Sequence, residues 1–478
     1  MKKSGSISTA VVAALLFAGC AVGPRYKRPA TVVPAQWTVD EARGTSTSEP
    51  AEEWWTSFHD AAFERLIRNA AAANLDLQLA AARLEEARAA RGISKSSLLP
   101  AVEATTTATR SRQHVFAPGG GMKGSAKAVP VEFNNFQGGF DASWELDVFG
   151  GSRRGLEAAT ADVEAAAEAR RNVLVTVFGE VGRAYVELRG YQLRLDIAEK
   201  NIKTQQDTLA LTEARAQAGL ASELDVARAK AQLDTTSAAV PTLESGIEIS
   251  IHRLGVLLGE EPGALRAELS PAAPVPVLPP ELPVGLPTQL LERRPDVRGA
   301  EAELRAATAR VGEAKADFFP RFMLLGTAGR QAAQLHDVTL GVGNIFGAGP
   351  AISLPLFTGG RIRSQVRVQD ARLQQSAIAY RAAMLAALQE TEDALVHYSQ
   401  EQSRRERLED AVKSNGEAVR LSNETYRAGL TDFLTVLDAE RELYANEDLL
   451  AQSRTAEAVN AIALYKALGG GWQAFPQP

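Results

Sequence analysis

The chain has 478 residues and a net charge of −6, from 52 Lys and Arg against 58 Asp and Glu, with a single Cys. That balance gives no basic footprint for nucleic acid, and one thiol excludes an internal disulfide framework. Five His and four Met leave little material for a dedicated metal centre, while the length allows two or three domains with substantial cores.

Met1-Lys2-Lys3, an apolar run from Ile7 to Phe17 and the small pair Ala18-Gly19 follow the order of a secretory signal over residues 1–19. The run is too short for a permanent bilayer span. Cys20 directly follows, where it resembles the lipobox of bacterial lipoproteins; there the thiol receives diacylglycerol and becomes the mature N-terminus. The plainer alternative is a small buried residue beside an ordinary cleavage site. Ala21, not Asp, follows the cysteine, which in such lipoproteins implies delivery to the outer membrane.

From Asp60 to Lys95 the chain carries helix formers with few breakers, and Leu290 to Asp317 does the same. Each run stops before a proline, Pro100 or Pro320. Beyond Pro100 the residues alternate, most sharply where Phe140, Ala142, Trp144, Leu146 and Val148 oppose Asp141, Ser143, Glu145 and Asp147. That is the period of a strand with one apolar and one polar face. Phe322 to Arg330 and Gly341 to Phe357 alternate less cleanly, and Pro355 weakens the last.

These segments form two copies of one plan, residues 60–259 and 290–469. Ala218-Gly219-Leu220 recurs as Ala428-Gly429-Leu430, Leu258-Gly259 as Leu468-Gly469, and Phe149-Gly150-Gly151 as Phe357-Thr358-Gly359-Gly360. Leu98-Leu99-Pro100 matches Phe318-Phe319-Pro320, and the extra residues of the first copy are expected in the loop from His114 to Pro130. Each half then reads helix, strand, loop, strand, very long helix, turn, helix.

The first very long helix runs from about Gly151 to Ala216. Val177, Val181, Ala184, Leu188, Tyr191, Leu195, Ala198, Ile202 and Leu209 fall on a heptad seam, with Gln205 in the one remaining place. Leu408, Val412, Asn415, Val419, Ser422 and Tyr426 repeat the spacing. Such a helix is about 100 Å long, against a radius of gyration of about 23 Å for a compact chain of this size, so an elongated molecule is expected. Four amphipathic strands of roughly ten residues have the length to cross a membrane in a barrel. They cannot close a sheet alone, and lipid forbids open edges, so the barrel would be shared between chains.

Taken together, Cys20-Ala21-Val22-Gly23-Pro24, Trp54-Trp55, Trp144-Glu145-Leu146-Asp147-Val148-Phe149-Gly150, Arg293-Arg294-Pro295-Asp296-Val297, Ala314-Lys315-Ala316-Asp317-Phe318-Phe319-Pro320 and Leu464-Tyr465-Lys466-Ala467-Leu468-Gly469-Gly470-Gly471-Trp472 resemble the outer membrane factors typified by TolC and OprM, in their NodT-like lipoprotein branch. The resemblance implies a mainly α fold with a membrane β-barrel part: four strands per chain complete a trimeric twelve-stranded barrel, and the long helices form a periplasmic α-barrel. It implies strands within 99–149 and 319–358, and tube helices within 60–98, 150–259, 290–318 and 359–469. An equatorial region would draw on 20–59, 260–289 and 470–478. It also implies a passive exit duct in the Gram-negative outer membrane, serving an inner-membrane proton-driven RND-type pump through a periplasmic adaptor. No cofactor is expected beyond the lipid on Cys20.

Ala218 to Glu223 and Ala428 to Asp432 are the turns that close the long hairpins. Gly219 and Gly429 suit the left-handed residue that ends a helix, and Ser222 with Asp225 has capping-box spacing. Asp432 and Asp438 open the final helix, where an acid is favoured by the dipole, and the structural reading makes Asp432 an N-cap and Asp438 a solvated acid. The resemblance makes Gly219, Leu220, Gly429, Leu430 and Thr431 adaptor-docking residues. It makes Asp432, Asp438 and Asp225 candidates for a carboxylate gate, although Thr431 stands where the OprM-like tip has its acid.

Catalytic readings fare poorly. In Gly119-Gly120-Gly121-Met122-Lys123-Gly124-Ser125 the lysine precedes the glycine that it should follow in a phosphate loop. His59, His114, His252, His336 and His397 are scattered without metal-ligand spacing. The rival of another class is a lipid-tethered periplasmic coiled-coil scaffold or adaptor with no pore, which leaves the Phe140 to Val148 strand unexplained.

Overall fold

A computed structural model describes residues 21–30, 34–38, 44–117, 127–339 and 343–475. Four strands, β1 (Ala101–Ala117), β2 (Lys127–Leu146), β3 (Arg321–Ala332) and β4 (Asn344–Ser353), lie among nine helices used below. These are α1 (Ala61–Ala73), α2 (Leu75–Ser96), α3 (Gly151–Gln217), α4 (Glu223–Ser237), α5 (Val240–Leu257), α6 (Pro287–Arg293), α7 (Pro295–Ala316), α8 (Arg361–Arg427) and α9 (Phe433–Ala467).

The duplication is close to residue-for-residue: α3 and α8 each have 67 residues, and α2 and α7 each have 22. The copies differ where prolines and one asparagine intervene. Pro241 sits in the first turn of α5 and separates it from α4, whereas its counterpart is Ala451 and α9 runs unbroken for 35 residues. The helix expected over Asp60 to Lys95 is two helices, because Asn74 leaves helical geometry and its Oδ1 accepts from Leu77 N at 3.1 Å to cap α2. Likewise Arg294, before Pro295, is forced extended and parts α6 from α7.

The chain divides into two compact units. The first takes in residues 85–164 and 302–378 and holds the sheet, in the order β1-β2-β3-β4, all antiparallel. Its register explains the weak alternation of β3 and β4. Val102, Ala142, Gly326 and Ala348 form one cross-strand row, and Ala104, Phe140, Ala328 and Phe346 another. Trp144, Leu324 and Pro350, then Leu146, Phe322 and Ile352, continue that face. Directly opposed residues share a face, so the small Gly326, Ala328 and Ala348 belong to the same face as Phe140, Trp144 and Leu146. The opposite face carries Glu103, Asp141, Thr327 and Gly347 in one row. Pro350 is tolerated because β4 is an edge strand. Phe140, Phe346 and Ile352 are 62%, 84% and 66% exposed on the apolar face.

The extra residues of the first copy are found in strands, contrary to the expected long loop. β1 and β2 have 17 and 20 residues against 12 and 10 for β3 and β4, and His114 pairs with Pro130 inside the ladder. Past the row of Ala108 and Phe136 the same face of the first hairpin turns polar, with Arg110 opposite Asn134, Arg112 opposite Glu132, and Arg110 Nη2 2.6 Å from Glu132 Oε2.

The second unit takes in residues 30–84, 165–301 and 379–478. Its aromatic core explains Trp54-Trp55: Trp54 stacks on Tyr465 at 5.1 Å, Trp55 meets Phe178 edge-on, and Phe63 stacks on Tyr185 at 5.5 Å. Asp60 caps α1 and also accepts from the Tyr185 hydroxyl at 2.8 Å, and burial pushes that phenol up to about 12. The Arg294 guanidinium binds Asp296 and Glu390, each at 2.7 Å, and donates to Ala467 O at the end of α9. Along α3 the heptad positions Val177, Val181, Ala184, Leu188, Ala198 and Gln205 are buried, and Arg194 bridges α3 to Asp448 of α9 at 2.7 Å.

Candidate functional site: the helix tips

Both hairpin turns lie in the second unit and are built alike. Leu220 N donates to Arg215 O at 2.8 Å, and Leu430 N to Thr425 O at 2.9 Å, the six-to-one bond of a helix-ending Schellman turn. Gly219 and Gly429 carry it at φ 73° and 74°, with open space where a side chain would stand. The requirement there is backbone conformation, not crowding. Leu220 and Leu430, next in each turn, are 69% and 76% exposed.

The caps that follow differ. Asp225 N donates to Ser222 Oγ at 3.2 Å, while Asp225 Oδ2 accepts from Ser222 N at 3.1 Å and from Ser222 Oγ at 2.8 Å, a full capping box. Asp432 Oδ1 accepts from Thr435 N at 3.1 Å and Thr435 Oγ1 at 2.8 Å. Those bonds from Thr435 hold the Asp432 carboxyl below its usual range, with a smaller contribution from the Arg228 guanidinium of α4. Asp438 is exposed and serves no cap; Arg441 Nη1 is 3.8 Å away, loose for an ion pair. Thr431 is only half-exposed, and its hydroxyl meets that of Thr425 at 3.1 Å.

Beneath the turns, Ala229 of α4 packs with Tyr426, Phe433, Val436 and Leu437, and Leu209 of α3 closes against them. The Arg215 guanidinium lies 4.5 Å from the centre of the Tyr426 ring and ties α3 to α8. Sequence reasoning assigned no role to Arg215, and none to the buried Glu440 of α9. The legible signal for Glu440 is its spacing of four from Val436, which puts an acid on the buried stripe.

Of the sequence-expected residues, the structure brings Gly219, Leu220, Asp225, Gly429, Leu430, Thr431, Asp432 and Asp438 into one unit. Cys20 lies outside the described residues. Among the described residues no group of three or more His, Cys, Asp and Glu could hold a metal ion.

Comparison with known proteins gives this architecture a setting. The family model for the outer membrane efflux protein matches twice, over residues 66–260 and 286–470, once for each copy of the repeat. Nodulation protein T of Rhizobium leguminosarum bv. trifolii is 30% identical over 96% of this chain and 96% of its own length. The toluene efflux pump outer membrane protein TtgC of Pseudomonas putida is 30% identical over 98% of this chain and 96% of its own. The solved structure of the outer-membrane channel OprN matches with a TM-score of 0.87 at 36% identity, covering 95% of this chain and 100% of that one. The four-stranded sheet, the paired long helices and the duplicated plan are those of an outer-membrane efflux channel, and the chain belongs to the outer membrane efflux protein family.

Proposed function

We propose that this channel is the passive exit duct of a tripartite exporter, assembled from three copies whose sheets close one twelve-stranded barrel. The observation that carries the reading is the sheet itself: one continuous apolar face, and outer edges of β1 and β4 that no strand among the described residues covers. In a bilayer such edges must be paired, and copies of the same sheet are the available partners. Two copies would give eight strands and three give twelve; the likeness to outer membrane factors favours three. Light scattering of the detergent-extracted protein, corrected for bound detergent, is expected to return three chains per particle. One or two chains would contradict it.

In this reading the tips do two jobs. Leu220 and Leu430, held outward by the rigid turns at Gly219 and Gly429, offer apolar contacts to the hairpins of a periplasmic adaptor, which links the duct to an inner-membrane RND-type pump. Thr431 supports its turn through Thr425 and contributes less to docking. Asp438 is the strongest gate candidate, because Asp225 and Asp432 are occupied by their caps whereas its carboxylate is not. Three symmetry copies would form a ring that holds cations and restricts anions. A diacylglycerol group and an N-acyl chain on Cys20 would tether the chain to the outer membrane. The duct performs no catalysis and needs no other cofactor. Its cargo is set by the pump, and TtgC, whose name specifies toluene, illustrates one class of cargo.

A further inference from the structure

The heptad seam of α3 is interrupted by Gln205, which is 5% exposed and whose Oε1 has no hydrogen-bond partner. Glu440 of α9 is 8% exposed; its Oε1 accepts from Thr208 Oγ1 at 3.2 Å, and its Oε2 has no partner. Both side chains line one cavity of about 320 Å³ between α3, α8 and α9. Two orphaned, buried acceptors at one cavity call for a donor, because a buried acceptor without one loses its hydration uncompensated.

The charged groups around the cavity do not supply it. Lys200 of α3 lines the wall, but its side chain is 74% exposed, its Nζ lies on Asp196 at 2.7 Å, and it reaches neither orphaned oxygen. Glu447 of α9 accepts from Asn201 Nδ2 at 2.9 Å and is itself an acid. From α8 come Val419, in the wall, and neutral Asn423, whose Nδ2 donates to Val419 O at 3.1 Å and whose amide also supports the Glu440 carboxylate, still leaving Oε2 without a partner.

We propose that this cavity is a proton-binding site that couples the seating of α9 on α3 to periplasmic pH. With a proton on Glu440, Oε2 becomes a donor in a cavity whose other orphan, Gln205 Oε1, needs one. When that proton leaves to solvent, the buried carboxylate draws water inward and loosens the first turns of α9, which carry Asp432 and Asp438. Burial pushes the Glu440 carboxyl above its ordinary 4.5, with Thr208 and Asn423 opposing only in part. The sign follows: the seated state has its full advantage below the ordinary glutamate value and loses it as pH rises through the raised value. The seating claim stands on the helices alone and does not depend on the duct reading.

The test is hydrogen exchange of residues 433–445 in the full-length, detergent-extracted protein, corrected for intrinsic exchange, across roughly pH 5 to 8. Local opening of the native protein is expected to increase about tenfold over that span, and Glu440→Gln, neutral and near-isosteric, to stay flat. Gln205→Leu removes the acceptor for the proton and so disfavours the protonated form, and its midpoint is expected to move to lower pH; an unmoved or raised midpoint overturns the pairing of the two residues. A flat native profile, or a pH response that survives in Glu440→Gln, overturns the site. So does protection that follows sodium against N-methylglucamine at fixed pH, which would make the ligand a metal cation. Conductance of the same samples separates the two claims: a pH-dependent opening without any conductance would sink the duct and leave the proton site standing.

Discussion

At the first hairpin turn Gly219 leads into a capping box that uses both ends of Ser222 and Asp225, and the helix beyond is broken at Pro241. At the second, Gly429 leads into a simpler cap on Asp432, an unbroken 35-residue helix, an uncommitted Asp438 and a buried Glu440. The turns themselves share φ values and hydrogen bonds. Duplication has therefore kept the backbone device and allowed the next two helical turns to diverge. The first tip commits its acid and its serine to the cap, whereas the second carries acids that no cap consumes, and the Arg215–Tyr426 contact joins the two tips.

The sharpest way to break this comparison is to empty the second tip's core. Phe433→Ala removes a ring that is 3% exposed and 5.7 Å from Tyr426, and should destabilise the second tip by about 3 kcal/mol. Hydrogen exchange should register the loss most strongly around 426–437, with a smaller loss where Leu209 and Ala229 close the same core. Gly219→Ala and Gly429→Ala each force a side chain into left-handed backbone and should cost about 1–2 kcal/mol, equally at both turns. An unequal cost, read from local exchange, would show that the turns are not equivalent. Ser222→Ala should cost about 1 kcal/mol at the first tip alone. Asp438→Asn should leave tip stability within about 0.5 kcal/mol, as an exposed surface change, yet raise single-channel conductance and weaken cation preference. Unchanged conductance would take Asp438 out of the gate.

Much of this was legible in the sequence, and what was not has identifiable causes. β2 could be read from Phe140 to Leu146 because large apolar side chains alternate with polar ones. β3 and β4 could not be read as cleanly, because Gly326, Ala328, Gly347 and Gly349 have little side chain to announce a face, and only register against β2 supplies it. Strand length in the first hairpin was misplaced into a loop, since the glycines and lysines between His114 and Pro130 hide the strand residues at either end, where His114 pairs with Pro130 in the ladder. At the tips the glycines and both caps followed from local spacing. Arg215 over Tyr426 and Glu440 beside Thr208 did not, because each joins residues more than two hundred positions apart.

The central claim, a duct built from shared sheets, is tested most directly by planar-bilayer conductance of the detergent-extracted protein carrying Cys20→Ser, with oligomeric mass measured on the same sample. Rare, small openings from a three-chain particle would show that the barrel forms without the lipid and that its resting tube is shut. A water-soluble, non-conducting monomer would contradict the duct and favour a tethered scaffold.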